Sequence, residues 1–113
     1  MPVQVASLFN PTQLTASAGV LFVIPATPAT IVLSGGVVRI TNTDTAGHAV
    51  TAYAVPSSAS PGAANCFMNA EPIAPNTHQD VALPVLGAGG SYQFSADITL
   101  VVTVSPLAGT LVS

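Results

Sequence analysis

The stretch Val37–Val55, VVRITNTDTAGHAVTAYAV, is two alternating apolar and polar runs joined by the polar corner Asp44-Thr45-Ala46-Gly47. Successive side chains of a strand point to opposite faces. Val38, Ile40 and Asn42 therefore share one face of the first run, and Val37, Arg39 and Thr41 the other. In the second run Thr51, Tyr53 and Val55 oppose His48, Val50, Ala52 and Ala54. Neither run contains Gly or Pro inside it. Asp44 is suited to bonding within its own turn and Gly47 to a positive φ at the exit. The pattern predicts a β-hairpin.

Ahead of this stretch, residues 1–18 carry Pro2 and Pro11 and little periodicity beyond a short strand at Val3 to Leu8, and are expected to form an N-terminal arm. Residues 19–113 are expected to form the domain. Gly19 to Ile24, GVLFVI, is a continuous apolar run stopped by Pro25, the pattern of a strand buried on both faces. Thr30 to Leu33 predicts a short strand before a Gly35-Gly36 turn. Beyond Val55, the run PSSASPGAANCFMN reads as a long loop whose apolar end, Cys66-Phe67-Met68, has no strand to belong to. Glu71 to Asn76 has room for one short edge strand, and His78 to Val85 alternates with Val81, Leu83 and Val85 inward. Gly87 to Gly90 is a turn, Tyr92 to Ala96 a strand, and Ile98 to Val104 the most β-prone run, ended by Pro106 before a last short strand in Leu107 to Val112. No segment combines a helical period with helix caps. About eight short strands with turns between them predict an all-β, single-domain antiparallel β-sandwich, a jelly roll.

Only 4% of the 113 residues are charged, against about 25% in an ordinary soluble domain. Asp44, Glu71, Asp80 and Asp97 stand against Arg39 alone, with no lysine. Nucleic acid is excluded as a partner because neutralising several phosphates takes a cluster of Lys or Arg, and attraction to an anionic membrane fails for the same reason. The N-terminus lacks the basic-then-apolar order of a signal peptide. The longest apolar stretch, Ala16 to Leu33, is broken by Pro25 and Pro28, whereas a spanning helix needs about 20 apolar residues. A lone Cys66 has no internal disulfide partner, which suits a protein made in a reducing cytoplasm. So little charge leaves a surface inclined to self-associate, and much of it is expected to be covered by neighbours.

No reaction emerges from the chemistry-bearing residues. His48 and His78 lack the local pairing of zinc ligands, so no metal or cofactor is expected. Cys66 has no adjacent base or cation to lower its pKa and reads as a small buried hydrophobe. The four carboxylates are scattered, and Gly87-Ala88-Gly89-Gly90-Ser91 lacks the lysine and the helix of a phosphate loop. The expectation is a non-enzymatic protein. Phe9, Cys66, Phe67 and Met68 are the candidate partner-contact residues, as apolar groups in the arm and at the loop's end. Six aromatics and no Trp give few platforms for a sugar, which leaves glycan binding as the alternative class.

The segments PTQLTASAGVLFVIPA (Pro11–Ala26), ITNTDTAGHAVTAYAVPS (Ile40–Ser57), IAPN (Ile73–Asn76) and GAGGSYQFSA (Gly87–Ala96), with the valine-rich run after them, resemble the small β-sandwich virion proteins of tailed bacteriophages. The resemblance spans about Pro11 to Val104. It implies a decoration or cement protein, made in the host cytoplasm and carried on the virion, that binds the outside of the icosahedral head. There it would staple neighbouring major capsid proteins together, as a homodimer or homotrimer. A receptor- or glycan-binding module on the tail or a head fibre is the alternative. The family supplies no catalytic residues to carry over.

Overall fold

The computed structural model describes residues 9–112 and the backbone of Val3–Gln4. In chain order the strands are β1 (Val3–Gln4), β2 (Thr12–Gln13), β3 (Gly19–Val23), β4 (Val32–Asn42), β5 (His48–Val55), β6 (Cys66–Ile73), β7 (Thr77–Ala82), β8 (Leu86–Gly87), β9 (Ser91–Ala96) and β10 (Val102–Val112), with a single 3-10 turn at Ala63–Asn65. They form two antiparallel sheets. One runs β1-β10-β4-β7, with β2 also on β10 and β8 also on β4; the other runs β3-β9-β5-β6. The all-β sandwich architecture expected from the strand pattern is therefore present. No helix among the described residues is long and apolar enough to cross a membrane.

The core lies between the sheets. Val38, Ile40, Val102 and Val104 come from one sheet, and Val50, Ala52, Tyr92, Phe94 and Ala96 from the other. Alternation places them there, and each large side chain removed from water contributes about 1.5–3 kcal/mol. Tyr92 is buried among them and donates its hydroxyl to Pro84 O at 2.6 Å. Burial pushes its phenol pKa up to about 12.

Val37–Val55 is not a hairpin. Val38, Ile40 and Asn42 do face the core, as their alternation requires. Yet β4 pairs with β10 and β7, while β5 pairs with β9 and β6. The corner carries the chain from one sheet to the other. Asn42, fully buried at the end of β4, fastens this crossing. Its Nδ2 donates to Ala46 O at 2.9 Å and Ile73 O at 3.1 Å, and its Oδ1 accepts from Asp44 N at 2.9 Å. An inward amide thus folds the corner over the end of the core. Asp44 does bond within its own turn, accepting from Thr45 N at 2.7 Å, but Gly47 does not take a positive φ.

Other boundaries move for related reasons. β3 is an edge strand rather than one buried on both faces: Val20 is 57% and Val23 52% exposed, and among the described residues only β9 pairs with it. β4 runs straight through Gly35-Gly36 instead of turning there. Gly35 takes φ +67, and a Cβ on Gly36 would lie 3.0 Å from Leu33 Cδ2 and 3.1 Å from Leu83 Cδ1, so the pair serves a kink and a close approach. β10 likewise continues through Pro106, because a register shift between Pro106 and Ala108 absorbs the missing donor. Ile98–Val101 is a connection rather than the start of that strand, with Leu100 at φ 62. β7 stops at Ala82, Leu83 turns inward, and Val85 points out at 68% exposure.

Part of the segment expected as an arm is built into the sheets. Thr12 and Gln13 pair with Val104 and Thr103, Leu14 is buried, and Leu14 N donates to Val102 O at 2.8 Å. Of the expected strand at Val3 to Leu8, Val3 and Gln4 pair with Leu111 and Thr110, and residues 5–8 lie outside the described residues.

Candidate functional site

Cys66, Phe67 and Met68 do have a strand to belong to, since they open β6 against β5. The loop ahead of them is shorter than expected and is pinned by Asn65, which accepts from Gly62 N at 3.0 Å and donates to Ser60 O at 2.9 Å. Met68 is buried. Phe67 packs edge-on against Phe94, with ring centroids 6.0 Å apart and planes at 79°. The half-buried Cys66 donates its thiol to Met68 O at 3.4 Å. Phe9 is partly buried against the same core. The apolar groups that looked spare in the sequence are therefore largely occupied within the domain.

Cys66 also borders a cleft enclosing about 400 Å³, together with Tyr53, Ala63 and Asn69. Tyr53 stands opposite Cys66 across the β5–β6 ladder, and the 3-10 turn supplies the other wall. A phenol, an amide and a thiol meet there without a charge. Tyr92 and Phe94 are buried, and Phe9, Phe22 and Phe67 pack against the core, which leaves Tyr53 as the aromatic that borders this cleft.

Of the exposed large apolar side chains, Val20 and Val23 lie on β3, while Val85, Leu100, Leu107 and Val112 lie elsewhere. Val20 and Val23 project from an edge whose outer backbone groups meet no strand among the described residues. A second cleft of about 160 Å³ adjoins this edge, lined by Leu14, Val20, Leu21 and Phe94 among others. Residues 1–38 contain no Asp, Glu, Lys, Arg or His. This charge-free run was available in the sequence. What the sequence could not show was that its strand lies at an edge.

Most of the few charges are paired with one another. Arg39 and Asp80 face each other across β4 and β7, with Nε–Oδ1 at 2.8 Å and Nη2–Oδ2 at 3.1 Å. Both side chains are 42% exposed, so solvent screens the pair. His48 lies between two carboxylates, its Nε2 2.8 Å from Asp44 Oδ2 and its Nδ1 2.9 Å from Asp97 Oδ1. The Asp44/His48 spacing hints at this contact; Asp97 is distant in sequence and gives no hint. Among the described residues no group of three His, Cys, Asp or Glu side chains is arranged to hold a metal ion. No family model, curated protein or solved structure matches this chain.

Proposed function

We propose that this chain is a capsid decoration (cement) protein of a tailed bacteriophage, a jelly roll that attaches to the outside of the head and bridges neighbouring major capsid proteins without catalysing a reaction. The observation that carries the reading is the β3 edge: an open strand, with exposed Val20 and Val23, inside a run of residues that holds no charge. Natural domains usually blunt such edges with Lys, Pro or a cover, because unpaired backbone groups beside apolar side chains template pairing with another chain. An edge left open and neutral suits a partner that docks there by backbone hydrogen bonds and apolar burial.

The strand order favours the jelly roll as the finer description. Taking β1 with β2 and β7 with β8 as single interrupted strands, the sheets run 1-8-3-6 and 2-7-4-5 in chain order. Domains of this architecture serve in viral capsids and in lectins. In this reading the protein is made in the host cytoplasm, resides on the virion surface and acts as a homodimer or homotrimer. The lectin-like alternative, a receptor- or glycan-binding module on a tail or head fibre, would use the Tyr53 cleft, which offers one aromatic platform.

Attachment through neutral contacts is insensitive to screening. At 1 M salt the Debye length is about 3 Å, which weakens exposed ion pairs and leaves apolar contacts intact. The protein is therefore expected to stay on purified particles through a wash at about 1 M salt. Val20→Lys and Val23→Lys should release it while circular dichroism and melting stay those of a folded domain. Release of the unaltered protein by moderate salt would exclude neutral contacts. A copy number of a few per particle would favour the tail or fibre alternative.

A further inference from the structure

The geometry around His48 points to a pH-gated latch: the charged imidazolium ties together two connections between the sheets, and its loss of a proton frees one of them. The connections are the β4–β5 corner, which carries Asp44, and the β9–β10 link, which begins at Asp97. His48 is the first residue of β5 and its side chain is only 10% exposed. A carboxylate can only accept, and a neutral imidazole has a single N–H to give. The bonds at 2.8 Å to Asp44 and 2.9 Å to Asp97 therefore require both ring nitrogens to be protonated at once. No ring nitrogen is left to serve a substrate or a metal, so the cluster reads as a fastening.

The groups facing the ring are few. Asp44 approaches from the corner and Asp97 from the link. On β6 the residue opposite is Ile73, flanked by the uncharged Pro72 and Ala74, and the carboxylate of that strand, Glu71, stands opposite Val50. Asp97 N also donates to Ala49 O at 3.0 Å, and Asn76 N to Asp44 O at 3.1 Å, which brings the β6–β7 connection to the same end of the sandwich.

The bond to Asp44 outweighs the opposing effect of burial and, helped by the Asp97 bond and both negative charges, raises the His48 pKa above its ordinary 6.5. The bond from His48, then that from Thr45 N, lowers the Asp44 pKa below 3.8. A raised histidine contributes stability that is complete below 6.5 and is lost as pH climbs through the higher folded value. A lowered carboxylate contributes stability that is complete above 3.8 and is lost as pH falls through the lower folded value. Within the folded domain the latch thus stays closed until pH climbs through the raised His48 value, and there one ring nitrogen turns a lone pair toward a carboxylate.

The test is nitrogen NMR of the histidine rings joined to amide hydrogen exchange. At about pH 6 both His48 nitrogens should show imidazolium shifts, with a midpoint above the ordinary histidine value. After correction for intrinsic rates, amides in residues 43–47 and 97–101 should exchange several-fold faster at about pH 8.5 than at about pH 6. In Asp97→Asn the new amide can donate to an unprotonated Nδ1, so this pH dependence should vanish while the fold is kept. A neutral His48 ring at about pH 6, no change in exchange in the unaltered chain, or the same change in Asp97→Asn would each overturn the latch. If the variant fails to fold, the ring shifts and exchange of the unaltered protein decide alone.

Discussion

Replacing Ile40 by alanine is expected to lower the stability of the domain by about 2–5 kcal/mol. Ile40 is fully buried in the middle of β4, opposite Val104 on β10 and Gln79 on β7, so the sheet holds its backbone from both sides. Such a site cannot collapse onto the lost methyl groups, and a cavity term adds to the transfer term. Domains of this kind have only about 5–15 kcal/mol in total. The measurement is denaturant unfolding, with a lower midpoint at an unchanged slope. Asp44→Ala, at a partly exposed corner, should shift the midpoint far less. The reverse ranking would mean that β4 does not present this face to the core.

The second large effect is expected at Asn42. Asn42→Leu keeps the branched heavy-atom skeleton and makes the side chain apolar, so an account by apolar burial alone predicts no loss. The amide, however, satisfies Ala46 O, Ile73 O and Asp44 N. A buried polar group left without its partner costs about 1–3 kcal/mol, and the buried Ile73 O would be orphaned while the part-buried Ala46 O and Asp44 N lose their bonds. The loss should therefore approach that of Ile40→Ala, and amide exchange in the β4–β5 corner should rise with it. Near-wild-type unfolding in Asn42→Leu would mean that the corner is held by the His48 bridges rather than by Asn42.

These two neighbouring residues separate what local pattern can reveal from what it cannot. Local pattern was enough for the all-β class and the inward face of β4: strict alternation leaves Val38, Ile40 and Asn42 on one side, and the scarcity of charge leaves a core and a surface that are both largely neutral. It also determined most of the strand starts and stops, because Gly and Pro punctuate by local sterics. Which strands pair was decided only in three dimensions. Alternation is the same in a hairpin and in a chain crossing between sheets, and the crossing is fastened by an inward amide reaching Ile73 O, thirty-one residues further on. The β3 run looked like a doubly buried strand for the same reason: hydrophobicity records that a strand is apolar, whereas edge position depends on which neighbours arrive. Gly35-Gly36 and Pro106 misled in the opposite sense, since a bulge inside a long ladder satisfies the same local sterics as a turn. The bridge from Asp44 through His48 to Asp97 lay beyond any local reading, because it exists only once two connections between the sheets have been brought to one end of the sandwich.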